Sequence, residues 1–91
     1  MVSDYFLPAA FLAAGAQIVD VRSAAEFAGG HAHRSENLPF AELQNRVSEL
    51  NPKEYLIVCC ASGARSGMAR QLLRRKGFEP VLNAGSWRNL P

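Results

Sequence analysis

Tyr55 to Cys60 is a continuous apolar run bounded by polar or small residues. A strand with one wet face alternates apolar and polar side chains, so a run without alternation requires cover on both faces. It predicts the middle strand of a sheet held between layers of helices. The next segment agrees: Ser66 to Lys76 sets Met68, Ala69, Leu72 and Leu73 on one helical face. Gly77 is its C-terminal stop, and Phe78 is placed to pack back on Leu73.

Strand-like and helix-like stretches alternate along the rest of the chain, the pattern of an α/β layering. Pro8 and then Ala9 to Ala14 before Gly15 read as a short helix, and Gln17 to Val21 as a strand. Ser23-Ala24-Ala25-Glu26 matches a capping box and predicts a helix over 23–28, ended by Gly29-Gly30. His31 to Leu38 reads as an irregular connection with a short strand at Asn37-Leu38. Phe40, Leu43, Val47 and Leu50 recur at helical spacing up to Asn51-Pro52. Pro80 to Leu82 is the expected last strand, leaving Asn83 to Pro91 for a turn or partial helix. The expected architecture is a small open parallel sheet of four to five strands, with helices on both faces.

Composition narrows the function. At 91 residues, 48% hydrophobic and 20% charged, the chain is expected to be one compact domain over 1–91. A net charge of +2 is too small to suggest nucleic acid or a membrane surface as partner. No apolar run approaches the roughly 20 residues of a membrane-spanning helix. The adjacent Cys59 and Cys60 cannot staple distant loops, and Met1 to Asp4 carries an acid without Lys or Arg, so a cytoplasmic location is expected. No acid lies between Glu54 and Glu79, while Arg65, Arg70, Arg74, Arg75 and Lys76 fall in that gap. The last three suit a helix C-terminus; Arg65 lies outside that explanation.

The segment Cys60-Ala61-Ser62-Gly63-Ala64-Arg65-Ser66 joins the C-terminal end of the buried strand to the start of a helix, where open α/β sheets bind ligands. A loop of small residues can turn successive amides inward, and Gly63 permits a backbone angle that other residues resist. A cysteine at the start of such a nest has its thiolate favoured by the amides, the helix dipole and the nearby Arg65 guanidinium. Cys60 is therefore a candidate nucleophile, whereas Cys59, within the strand, reads as a small core residue.

At this point the chain resembles the rhodanese family of sulfurtransferases, whose active loop begins with cysteine, runs six residues and leads into a helix. Asp20-Val21-Arg22, Glu26-Phe27, Gly30-His31 and Asn37-Leu38-Pro39 are similar to that family's ordered motifs. Gly77-Phe78, Val81, Asn83 and Gly85 resemble its closing pattern, so the likeness spans about residues 17–87. Arg34-Ser35 stands where the family often has Gly-Ala, and Gly85-Ser86 where it has paired glycines.

The resemblance implies a thiosulfate sulfurtransferase of rhodanese-like fold. In it Cys60 attacks the outer sulfur of thiosulfate or another sulfane donor, expels sulfite and holds a persulfide. A thiol, cyanide or a sulfur-carrier protein then removes the sulfur. Amides from Ala61, Ser62, Gly63, Ala64 and Arg65 are expected to stabilise the anion, with Arg65 attracting the donor. No metal or organic cofactor is needed.

Other readings remain open on the residues. Counting from Cys59 gives Cys-x5-Arg65-Ser66, the spacing of cysteine-based phosphatases and arsenate reductases, although Val58 replaces their usual preceding histidine. A non-catalytic binding module of the same fold is a further alternative. A carrier protein with an acidic face is expected to dock on the basic residues around Arg65 and Arg70. Gly63 to Gly67 has neither the spacing of a serine nucleophile elbow nor the ending of a phosphate-binding P-loop. His31 and His33 read as structural or solvated, Arg22 as the ion-pair partner of Glu26, and Trp87 as a cover for the sheet or the edge of the active loop.

Overall fold

The structure, a computed structural model, describes residues 6–91. Residues 1–5 of the expected domain, including the acidic start at Met1 to Asp4, lie outside the described residues. The elements run α1 (Phe6–Ala13), β1 (Gln17–Asp20), α2 (Ala24–Ala28), β2 (Ser35–Asn37), α3 (Phe40–Arg46), β3 (Leu56–Cys60), α4 (Ala64–Arg75) and β4 (Val81–Ser86). Short 3-10 turns lie at Val47–Glu49 and Trp87–Asn89. The strands form one parallel sheet in the order β2-β1-β3-β4. This is the small α/β layering expected, at four strands.

Every residue of β3 is buried, and its pleat feeds two cores. Leu56, Val58 and Cys60 join Leu43 of α3 and Ala69 and Leu73 of α4. Ile57 and Cys59 join the other face, with Phe11 and Leu12 of α1 and Trp87 and Leu90 near the C-terminus. Alternation along an extended strand therefore places the two adjacent cysteines in different layers.

Local chemistry ends the helices where expected. Gly77, at φ 95°, closes α4 with Phe78 N–H donating to Leu73 O and Gly77 N–H to Arg74 O, each at 3.0 Å. Phe78 and Leu73 share the same core, the apolar contact that accompanies this paired termination. The capping box before α2 is complete, with Ser23 Oγ accepting from Glu26 N and Glu26 Oε1 accepting from Ser23 N.

Several boundaries depart from expectation. Strand β2 covers Ser35–Asn37 rather than Asn37-Leu38; Leu38 N–H still donates to Asp20 O as the last bond of the ladder, and its side chain enters the core. Helix α3 stops at Arg46, and the stripe continues through a tighter turn that still buries Leu50. Helix α4 begins at Ala64, two residues before Ser66, so Ser66 lies within its first turn. Strand β4 starts at Val81 and runs on to Ser86 instead of stopping at Leu82. It contains an irregularity: Val58 faces Asn83 and Cys60 faces Ser86, so β4 carries an extra residue where Gly85 adopts φ 77°.

Arg34, standing where the family often has glycine, takes a left-handed φ of 64°. Ser86, in place of the second glycine, accepts a hydrogen bond from Arg88 N at 3.2 Å and caps the last turn.

Candidate active site

The site is the junction of β3 and α4. Gly63 at φ 109° lets the chain reverse between strand and helix, and Gly67 N–H donates to Gly63 O at 2.8 Å to start the helical ladder. The amides before Gly67 have no acceptor within the helix and face the loop. A Cβ on Gly63 would lie 3.3 Å from Gly85 Cα, so glycine also allows the loop to approach the bulge of β4 closely.

Cys60 Sγ accepts from Gly63 N–H at 2.9 Å and from the Ser66 hydroxyl at 3.3 Å. Burial of the thiol favours its neutral form, but the Ser66 hydroxyl and the amides of Ser66, Gly63 and Ser62 favour the anion more and bring it down to about 7. For Cys59, burial and then the Asp20 carboxylate push the thiol up to about 12. The phosphatase-like register therefore starts from a sulfur that is neutral at ordinary pH and faces the opposite core.

Of the expected amides from Ala61 to Arg65, that of Gly63 donates to Sγ and that of Ser62 favours its anion, while Ser66, just beyond that run, reaches Sγ through its hydroxyl. Ala61, Ser62 and Ala64 are exposed at the rim. Sequence reasoning treated Ser66 as a helix-start residue and missed its contact with the sulfur. The available signal was its spacing: a residue in the first helical turn faces back to the end of the preceding strand.

Arg65 sits at the rim with both terminal nitrogens on Glu26, at 2.8 and 3.1 Å. The expected Arg22–Glu26 ion pair does not form. Arg22 instead grips Asp20 through Nε and Nη2, with Nη2 2.7 Å from Oδ2, while Asp20 is fully buried. Its Nη2 also donates to Gly30 O at 2.7 Å, and its guanidinium lies 4.8 Å from the Trp87 ring. Arg22 reaches only the backbone carbonyl of Glu26, at 3.4 Å, because the Glu26 side chain is held by Ser23 and Arg65. Arg65 first and then the Ser23 amide hold the Glu26 carboxyl down at about 2. Trp87 thus covers the sheet and the Gly30 turn, where a Cβ on Gly30 would lie 3.3 Å from its ring.

Arg70 donates Nε to Val81 O at 2.6 Å and so clasps α4 to β4. His31 stacks on Phe27 with centroids 3.7 Å apart and bonds Phe27 O through Nδ1 at 2.7 Å, a scaffold role. Among the described residues, no group of three or more His, Cys, Asp or Glu is placed to hold a metal. A groove of about 550 Å³ runs beside the loop, with Ser62, Gly63, Asn83 and Asn89 in its lining.

With a cysteine at the strand end, amides turned to its sulfur and an arginine at the rim, the chain can be set beside known proteins. Residues 9–90 match the Rhodanese-like domain family. The chain belongs to that family. It is 37% identical over 68 residues to the uncharacterized protein YqhL of Bacillus subtilis, covering 75% of this chain and 54% of that one. It is 28% identical over 74 residues to the thiosulfate sulfurtransferase PspE of Escherichia coli, covering 79% of this chain and 71% of that one. The human single-domain sulfurtransferase TSTD1 superposes with a TM-score of 0.74 at 31% identity, covering 89% of this chain and 86% of that one. This rhodanese-like chain spans about half the length of several curated relatives it matches, YqhL among them, at 36–56%.

Proposed function

We propose that this rhodanese-like chain is a thiosulfate sulfurtransferase that works through a persulfide on Cys60. The Cys60 thiolate attacks the outer sulfur of thiosulfate or a similar sulfane donor; a new S–S bond forms, and the donor's own S–S bond breaks with its electron pair leaving on sulfite. Cyanide, a thiolate or a sulfur-carrier protein then attacks the terminal sulfur, and the electron pair of the persulfide bond returns to Cys60. No external oxidant or reductant enters this cycle. The observation that carries the reading is the pair of donors on Sγ, the Gly63 amide and the Ser66 hydroxyl, which favours an anion at neutral pH. The sulfurtransferase names of PspE and TSTD1 support the same chemistry. Free thiols at both cysteines suit a reducing compartment such as the cytoplasm.

The test is intact-protein mass after incubation with thiosulfate without reductant, followed by peptide mapping and a chase with cyanide. The expected result is a gain of one sulfur on Cys60 that cyanide removes as thiocyanate. No gain, with Cys60 still open to alkylation, overturns the reading.

A further inference from the structure

The Ser66 hydroxyl has one hydrogen and two acceptors within reach, Asn83 Oδ1 at 2.6 Å and Cys60 Sγ at 3.3 Å. It serves one of them at a time. Which end of the Asn83 amide faces Ser66 is fixed by two backbone groups whose roles cannot be exchanged. Gly85 N–H can only donate, so the atom 2.9 Å from it is Oδ1. Gly63 O can only accept, so the atom 3.1 Å from it is Nδ2.

The bulge of β4 aims this side chain. Two steps along β3, from Val58 to Cys60, correspond to three along β4, from Asn83 to Ser86. Asn83 is thereby turned toward the start of α4, where a Cβ on Gly67 would lie 3.4 Å from its Nδ2. Ser66 is fully buried, so its hydroxyl has no bulk water to turn to.

We propose that Asn83 is a positioning residue for Cys60 that acts through Ser66. It accepts the serine hydrogen while the sulfur is protonated and gives it up when the sulfur becomes an anion. In the first state the Cys60 thiol can donate to Ser66 Oγ; in the second the hydroxyl turns to Sγ while Oδ1 keeps the Gly85 amide. The bond from Nδ2 to Gly63 O holds the loop in place through both. This inference rests on Cys60 as the nucleophile, but its test reads the thiol itself and not sulfur transfer. The charged and titratable groups around the sulfur are Arg65, paired with Glu26, the Asp20–Arg22 pair at the end of β1, and Cys59 beside it on β3. Among the described residues none of these hydrogen-bonds Ser66 or Asn83, so the coupling between the two can be isolated.

The experiment is the pH dependence of iodoacetamide labelling of Cys60, read by peptide mapping, in the full chain, Ser66→Ala, Asn83→Asp and the double variant. The aspartate is nearly the size of asparagine but pulls the serine hydrogen away from the sulfur and repels the thiolate. Each single variant is expected to raise the midpoint by about one unit, which lowers labelling at pH 7 about fivefold. In the double variant the aspartate is expected to add less than it causes alone, because only its direct repulsion of the thiolate survives without the Ser66 hydroxyl. An unmoved midpoint in Asn83→Asp, or shifts that simply add, overturns the proposal. Asn83→Ala, which carries no charge and decides the matter should the aspartate variant not fold, is expected to be non-additive with Ser66→Ala; additivity there overturns it equally. A wild-type chain that takes no sulfur from thiosulfate sinks the sulfurtransferase reading and leaves the outcome of this cycle standing by itself.

Discussion

Arg65 and Glu26, 39 residues apart, meet through two hydrogen bonds at the rim of the Cys60 loop. The carboxylate that holds the arginine is itself held by Ser23 in the capping box of α2, so the helix start and the active loop share one side chain. The cation expected to draw an anionic donor is therefore already matched by an anion. Arg65→Ala should raise the KM for thiosulfate about tenfold, the scale of one lost charge-assisted contact. Glu26→Gln preserves the capping box, since glutamine can fill that position, and frees the guanidinium. It should lower KM. Steady-state kinetics with both variants decides, and KM values unchanged in each would remove Arg65 from donor binding.

Labelling of Cys60 should rise with pH through a midpoint at about 7, while Cys59 stays protected far above it. The sign for stability follows from linkage. A thiol held near 7 when folded, against about 9 when free, contributes stability that is fully present above pH 9 and lost as pH falls through about 7. Urea unfolding of the wild type and Cys60→Ala across that window should therefore diverge toward high pH, and parallel curves would contradict the depressed thiol. Cys59 acts in the opposite sense and withdraws stability as pH rises beyond 9.

Cys60→Ala should abolish sulfur uptake from thiosulfate with little change in fold. Cys59→Ala should keep the uptake and lose about 1 kcal/mol of stability through the small void it leaves in the core. Mass analysis and denaturant melts of the two proteins separate these roles, and an inactive Cys59 variant with an intact fold would reverse them.

The buried Asp20–Arg22 pair should be far more sensitive than any surface ion pair. Arg22→Met would strand the Asp20 carboxylate, which is fully buried, beside a sheet end with no cation. A loss of about 3 kcal/mol is expected in chemical denaturation, a large share of the stability of a domain this size. A loss below about 1 kcal/mol would mean that Asp20 finds another partner or a proton.

Arg34 carries a left-handed backbone that glycine adopts without strain. Arg34→Gly should stabilise by about 0.5 kcal/mol, the strain relieved less the extra freedom glycine has when unfolded. Thermal melts check this, and a fall in Tm would show that the arginine side chain contributes more than its backbone costs.

What could be read from the sequence was what depends on neighbours in the chain. The unbroken apolar run ending at Cys60, the capping box at Ser23 and the Gly77-Phe78 stop each announce a local structure, and each is present. The extension of β4 was hidden because Asn83-Ala84-Gly85 has the composition of a turn, whereas pairing with β3 holds it as a bulged strand. Arg22 lost its expected partner Glu26 to Arg65 for the same reason. Spacing alone favoured Arg22 with Glu26, and only the folded sheet brings Arg65 to that carboxylate and Arg22 over Asp20. The position of Cys60 at the strand end was legible from the sequence, but Ser66 and Asn83, which meet beside its sulfur, are brought together by α4 and the β4 bulge.

The pleat of β3 has a consequence for how this chain can change over time. Two identical thiols one residue apart are pushed in opposite directions, one down to about 7 and the other up to about 12, and nothing in their covalent structure distinguishes them. Their difference is set by the hydrogen-bond ladder that pairs Val58 with Val19 and Cys59 with Asp20. A slip of that ladder by one residue would turn every side chain of β3 to the opposite face, setting Cys59 on the side of α4 and taking Cys60 away from it. Insertions and deletions upstream of Leu56 are therefore tolerable in the connecting turns, but a single residue gained or lost within the strand would change which sulfur faces the Ser66 hydroxyl.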